Sequence, residues 1–233
     1  MSYIALKLGV GRFSAGAKSR KHAHTYSDED IKQIKAQIFE RDNHTCGCCG
    51  FKAEKYQDLY HQDGDTLNYS ADNLVTMCLF CHQVFHLEEA AHMRSGVLVW
   101  LPEVGQAALH HIMRAVYVAR VTQGPMADSA KATLELLMNR REEAKKRIGT
   151  DDPSVLARIF KDFMEEREYN LRDQKIDGLR LLPLDRRIIH EGDLDFNQFP
   201  QILAYWRSKK GPFGASMPTS WPSLLEAAQA ELS

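Results

Sequence analysis

CLFCHQVFH, residues 78–86, sets Cys78 and Cys81 two positions apart, follows them at once with His82, and places His86 four positions further on. Upstream, CGCCG supplies a second such pair, Cys46 and Cys49, with 28 residues between Cys49 and Cys78. Zinc takes four thiolates tetrahedrally at about 2.3 Å, and two C-x-x-C knuckles present that shape. A closed set of four leaves no open coordination position, so the ion expected on Cys46, Cys49, Cys78 and Cys81 is a structural Zn2+. All five cysteines fall in this window, a clustering that points to metal binding rather than disulfides. The fifth, Cys48, is either an alternative ligand or a neighbour of the site.

The remainder of the 233-residue chain has the composition of a soluble globular protein, long enough for one large domain or a domain with a small satellite. No apolar run approaches the roughly 20 residues that cross a bilayer. The start, MSYIALKLGVGRF, lacks the basic, apolar and small-residue parts of a signal peptide, so a cytoplasmic protein without membrane insertion is expected. Net charge is −1, without the basic surplus a dedicated nucleic-acid binder uses against phosphates. Between Glu40 and Arg94 four basic residues face nine acidic ones, a net of −5 that repels a phosphate backbone. Basic clusters elsewhere (KSRKH, NRREEAKKR, DRR, RSKK) read first as solvated surface.

Local patterns predict an α+β fold: a small metal-bound ββα unit with a helical remainder. YIALKLG (3–9) alternates as a short strand, and residues 13–26, FSAGAKSRKHAHTY, read as a basic loop. Ser27 and Asp30 form a capping-box pattern ahead of a helix whose Ile31, Ile34 and Ile38 recur at helical spacing. GVLVWLP (96–102) reads as a strand. Residues 103–122 read as a helix with Leu109, Ile112, Met113, Val116 and Tyr117 on its apolar side, and His110 and His111 as ordinary core or surface residues. Gly124-Pro125 ends that helix, and a second, 129–147, closes at Gly149. Asp152-Pro153 opens a third, running to about 170. GLRLLPLDRR reads as a loop, NQFPQILAYWRSKK as a last short helix, and GPFGASMPTSWPS as mobile, with a helical turn or more in LLEAAQAEL.

Between the cysteine pairs, YQDLYHQDGDTLNYSADNLVTMC resembles the HNH endonuclease motif. The resemblance implies an HNH-like ββα-metal zinc module embedded in a mainly helical domain. It assigns His61 as general base, Asn73 as the residue that holds the hairpin loop, and His82 as a ligand of a catalytic Mg2+ or Mn2+. His86 lies one helical turn from His82 on the same face. The chain departs at Tyr60, where the motif has a metal-binding Asp, Glu or His; a neutral phenol is a poor ligand for magnesium. Asp63 or Asp65 is the available substitute ligand, though both read first as turn residues of DGD.

A longer stretch, from QIFERDNHTC through CLFC, then GVLVWLPEVGQAALHHIMRAV and GLRLLP, resembles the DotN/IcmJ family of type IVB secretion coupling-complex subunits, over most of residues 3–185. That resemblance implies a zinc fold with a degraded catalytic site. Its expected partners are the C-terminal tail of a DotL-type coupling ATPase and other coupling-complex subunits, at the inner face of the bacterial inner membrane. Retention of His61, Asn73 and His82 keeps a metal-dependent endonuclease as the alternative. The expected organisation is an N-terminal strand and basic loop (1–30), the zinc module (31–95), a helical region packed on it (96–210) and a mobile tail (211–233). The helical part, the strand edge near GVLVWLP, and Trp100, Tyr117 and Trp206 are the expected contacts for a partner, as few aromatic anchors dominate most interfaces.

Overall fold

The computed structural model describes residues 3–11 and 26–223. Helix α1 (Asp28–Arg41) starts at the predicted capping box, with the Ser27 hydroxyl accepting from the Asp30 N–H and the Asp30 carboxylate accepting from the Ser27 N–H. Its Ile38 is buried against Leu59 and Leu74 of an antiparallel hairpin, β1 (Gln57–His61) and β2 (Leu74–Cys78). Arg41 donates to the carbonyls of Ala71 and Leu74, and Asp42 accepts from the Thr76 N–H, so the end of α1 clamps the hairpin. Helices α2 (Leu79–Phe85) and α3 (Leu87–His92) follow directly.

A second antiparallel pair, β3 (Gly96–Trp100) and β4 (Leu179–Pro183), lies between two apolar clusters. Leu98, Leu179 and Leu181 face one, and Val99 and Leu182 face the other. GLRLLP is thus a strand, not the expected loop; Leu179, Leu181 and Leu182, interrupted only by Arg180, suit burial on both faces. Both mid-strand edges are satisfied. The Leu98 N–H donates to the Asp151 carbonyl, and the Gln106 side-chain amide bonds both the N–H and the carbonyl of Leu181.

Helix α4 (Gln106–Arg120) buries Leu109, Met113 and Tyr117, but Ile112 lies on its exposed side. Helix α5 (Pro125–Ile148) begins at Pro125 and ends at Gly149, whose φ of +77° caps it in the left-handed region. The third helix is shorter than expected. α6 (Pro153–Asp162) stops at Phe163, and α7 (Glu166–Asn170) and α8 (Arg172–Lys175) turn the chain so that Tyr169 and Arg172 meet the N-terminal segment. That segment, residues 3–9, is not a sheet strand. Its backbone bonds go singly to Gly47, Val84 and Leu87, making it a strap over the fold.

An additional hairpin, β5 (Ile188–Glu191) and β6 (Leu194–Asn197), turns at Gly192, whose φ is +59°. Helix α9 (Phe199–Arg207) forms as expected, with Phe199, Ile202 and Trp206 buried. Within the expected mobile tail, residues 211–223 fold back on α9, with the Phe213 N–H on the Trp206 carbonyl and the Phe213 ring facing Trp206 and Trp221. LLEAAQAEL, and nearly all of the basic loop, lie outside the described residues. Among the described residues no helix is long and apolar enough to cross a membrane.

Candidate metal centre and the cavity beside it

The four cysteines of the two C-x-x-C pairs converge from a knuckle after α1, the end of β2 and the first turn of α2. Their sulfurs all lie within 4.8 Å of one another. Cys49 Sγ and Cys78 Sγ are 3.7 Å apart, close to the ~3.8 Å edge of a tetrahedron with about 2.3 Å bonds, and far beyond the roughly 2.05 Å of a disulfide. All five cysteines are free thiols. The cluster can hold a metal ion, and four sulfur donors at this spacing fit zinc. Cys48 is buried nearby without joining the four converging sulfurs.

Burial pushes the Cys78 thiol well above its ordinary pKa, a cost that a nearby cation must offset. Arg114 of α4 works against that rise. Its side chain is essentially inaccessible to solvent, and its Nη2 stands 2.8 Å from Cys78 Sγ and 3.8 Å from Cys49 Sγ. Burial alone would lower the Arg114 pKa; the facing cysteines reverse this and raise it. Nε and Nη1 have no hydrogen-bond acceptor among the described residues. The guanidinium carbon lies 3.9 Å from the Phe51 ring centroid and 5.0 Å from that of Phe80, so aromatic faces take the acceptors' place.

One turn earlier, buried His110 places Nδ1 3.2 Å from Cys81 Sγ, while its Nε2 is 2.8 Å from the Gln106 amide nitrogen. That amide nitrogen also donates to Leu181, and only a neutral His110 with its proton on Nδ1 satisfies the whole chain. Burial holds the His110 pKa well below the ordinary value, in agreement. The imidazole N–H therefore points at a cysteine sulfur, the outer-shell arrangement that steadies metal thiolates. Neither Arg114 nor the role of His110 was anticipated from the sequence. The available signal was a charged residue on the apolar side of α4.

His61 and neighbouring hairpin residues line a cavity of about 690 Å³ beside β1. Asn73 accepts from the Asp63 N–H and donates to the Asn68 carbonyl, bracing the 62–73 loop. Asp63 and Asp65 accept from loop donors, as turn residues do. His61 lines the cavity edge-on to Tyr69, its Nε2 buried and without a hydrogen-bond partner, and burial lowers its pKa. His82 lines the same cavity from α2. Tyr60 stacks on Phe85 at 4.7 Å, and burial pushes its phenol up to about 12, so it stays neutral. The expected anchors are structural: Tyr117 and Trp206 are core residues, and Trp100 lies under the Arg147 guanidinium with its ring 4.2 Å away.

These features define an α+β protein built around a candidate cysteine-only metal centre. No protein-family model matches the chain. Over 160 residues, 67% of this chain and 74% of the relative, it is 33% identical to the type 4 apparatus protein DotN of Legionella pneumophila subsp. pneumophila. The chain belongs to the DotN family.

Proposed function

We propose that this chain is a subunit of a type IVB secretion or conjugation coupling complex, held at the inner face of the inner membrane by its partners. There it binds the C-terminal extension of a DotL-type ATPase. Similarity to a type 4 apparatus protein over most of both chains is the observation that carries this reading. Buried Tyr117 and Trp206 and the satisfied edges of β3 and β4 direct the contact elsewhere. Exposed Val155, Ile159 and Phe163 recur every four residues along α6 and just past it, a stripe suited to an amphipathic segment. Co-expression with the ATPase tail should give a complex that survives gel filtration, and Phe163→Asp should weaken it at least about tenfold. Separate elution of the wild-type chain and tail at micromolar concentration would reject the reading.

The grouping of His61 and His82 around one cavity, with Asn73 bracing the loop, supports a second reading as an HNH-like metal-dependent endonuclease using Mg2+ or Mn2+. The acidic cavity wall repels a phosphate backbone, and the neutral phenol at position 60 leaves the motif's metal position without its ligand; both weigh against it. The expected outcome is no cleavage of supercoiled plasmid with either ion. Cleavage that disappears in His61→Ala would establish the endonuclease instead. Cleavage gained in Tyr60→Asp would mark a decayed catalytic site.

A further inference from the structure

RSKK (207–210), one of the basic clusters, does not leave the end of α9 as loose solvated chain. Residues 208–214 fold into a tight turn. In it the Gly211 N–H donates to the Ser208 carbonyl, and the Phe213 N–H donates to the Trp206 carbonyl. Glycine is required twice. A Cβ at Gly211 would collide with the Tyr205 and Trp206 carbonyl oxygens, and one at Gly214 with the Ser208 carbonyl oxygen. Lys209 and Lys210 are thereby fixed just past the C-terminus of α9, where the helix dipole favours cations. The turn meets the chain just after Cys49 across a cavity of about 510 Å³, whose walls include Phe51, Lys52, His111, Tyr205, Lys210 and Phe213.

We propose that this cavity docks an acidic peptide segment of a partner protein, one that carries an apolar side chain among its carboxylates. Lys52 and Lys210 line the cavity, Lys55 places its Nζ 5.9 Å from the Tyr205 ring centroid, and Lys209 adjoins Lys210. None of these lysines has an acidic partner among the described residues; Lys52 donates instead to the Asn43 side-chain oxygen. Glu54 is the one acid among the described lining residues. Uncompensated cations around a concave surface attract carboxylates and fix their register. The rings of Phe51, Tyr205 and Phe213 supply the apolar part of the wall. That wall is already held in place. The Tyr205 hydroxyl accepts from the Glu54 N–H, and its ring lies 5.7 Å from that of Tyr56. The His111 Nε2–H donates to the Cys49 carbonyl at 2.8 Å, and the Phe213 ring packs on Trp206. A preformed wall has little ordering left to lose on binding. A long polyanion such as nucleic acid would run beyond the cavity onto the zinc module, whose net charge of −5 repels it, whereas a short acidic segment stays within the basic patch. The cavity shares no residue with the α6 stripe, so this contact is additional to the one proposed for the ATPase tail.

The test is fluorescence anisotropy of the zinc-loaded full chain, at low ionic strength, with a labelled peptide of alternating glutamate and serine around one phenylalanine. Micromolar binding is expected, and binding at least about tenfold weaker when glutamine replaces every glutamate. Lys52→Glu and Lys210→Glu should each weaken the wild-type interaction at least about tenfold. Lys146→Glu on α5 should leave it unchanged, and so should Phe163→Asp, which separates this site from the ATPase-tail contact. Melting curves and zinc content verify that each variant is folded. Absence of peptide binding at high micromolar chain overturns the proposal. So does an equal loss in Lys146→Glu, which would report diffuse charge rather than this cavity. Tighter binding of a single-stranded oligothymidylate, or of phosphatidylglycerol vesicles, than of the peptide also overturns it and assigns the patch to nucleic acid or to an anionic membrane.

Discussion

Cys46→Ser is expected to yield insoluble or partly unfolded protein. The knuckle around Cys46 and Cys49 is a turn with little core of its own, and the hairpin behind it buries chiefly Leu59, Leu74 and Met77. Metal binding to a structural four-cysteine site supplies on the order of 10 kcal/mol of folding free energy, comparable to the whole stability of a typical domain, about 5–15 kcal/mol. A serine hydroxyl cannot replace a thiolate as a soft ligand, and the other three sulfurs would remain buried beside a cation without their ion. Elemental analysis and circular dichroism of the purified chain are the measurements. Well under one zinc per folded wild-type chain, or a Cys46→Ser protein with an unchanged melt, would remove the structural role.

Arg114→Leu should cost about 3–5 kcal/mol, the penalty for removing one member of a buried charge pair. A tetrathiolate zinc centre carries two net negative charges, and Arg114 is the cation placed against it, 2.8 Å from Cys78 Sγ. Leucine fills part of the volume but leaves that charge without a counterion in a low-dielectric interior. Arg114→Lys should recover only part of the loss, because a planar guanidinium lies over Phe51 and reaches two sulfurs at once, whereas an ammonium is a compact point charge. Urea unfolding of the three proteins, with zinc content measured on each, decides the matter. Equal midpoints for wild type and Arg114→Leu would show that the cluster needs no counter-charge.

Spacing in the chain was enough to determine the elements whose causes are local. Cys46, Cys49, Cys78 and Cys81 could be paired because a C-x-x-C knuckle is complete within four residues. Ser27 with Asp30, and Gly149, mark helix ends because a cap is a contact between neighbours, whereas α5 begins at Pro125, four residues ahead of the expected start at 129. Gly192-Asp193 is as local a turn signal for the β5–β6 hairpin. Other features depended on partners far away in the chain. GLRLLP reads as a loop between Gly178 and Leu184 until Gly96–Trp100 lies beside it and apolar clusters cover both faces. A charged residue on a helix reads as solvated, so Arg114 and His110 reveal their roles only when α4 is laid across the cysteines, about 30 residues away in sequence. The ligand set is local because two short knuckles carry it, but the charge balance around those ligands depends on burial, and burial is decided only when α4 docks.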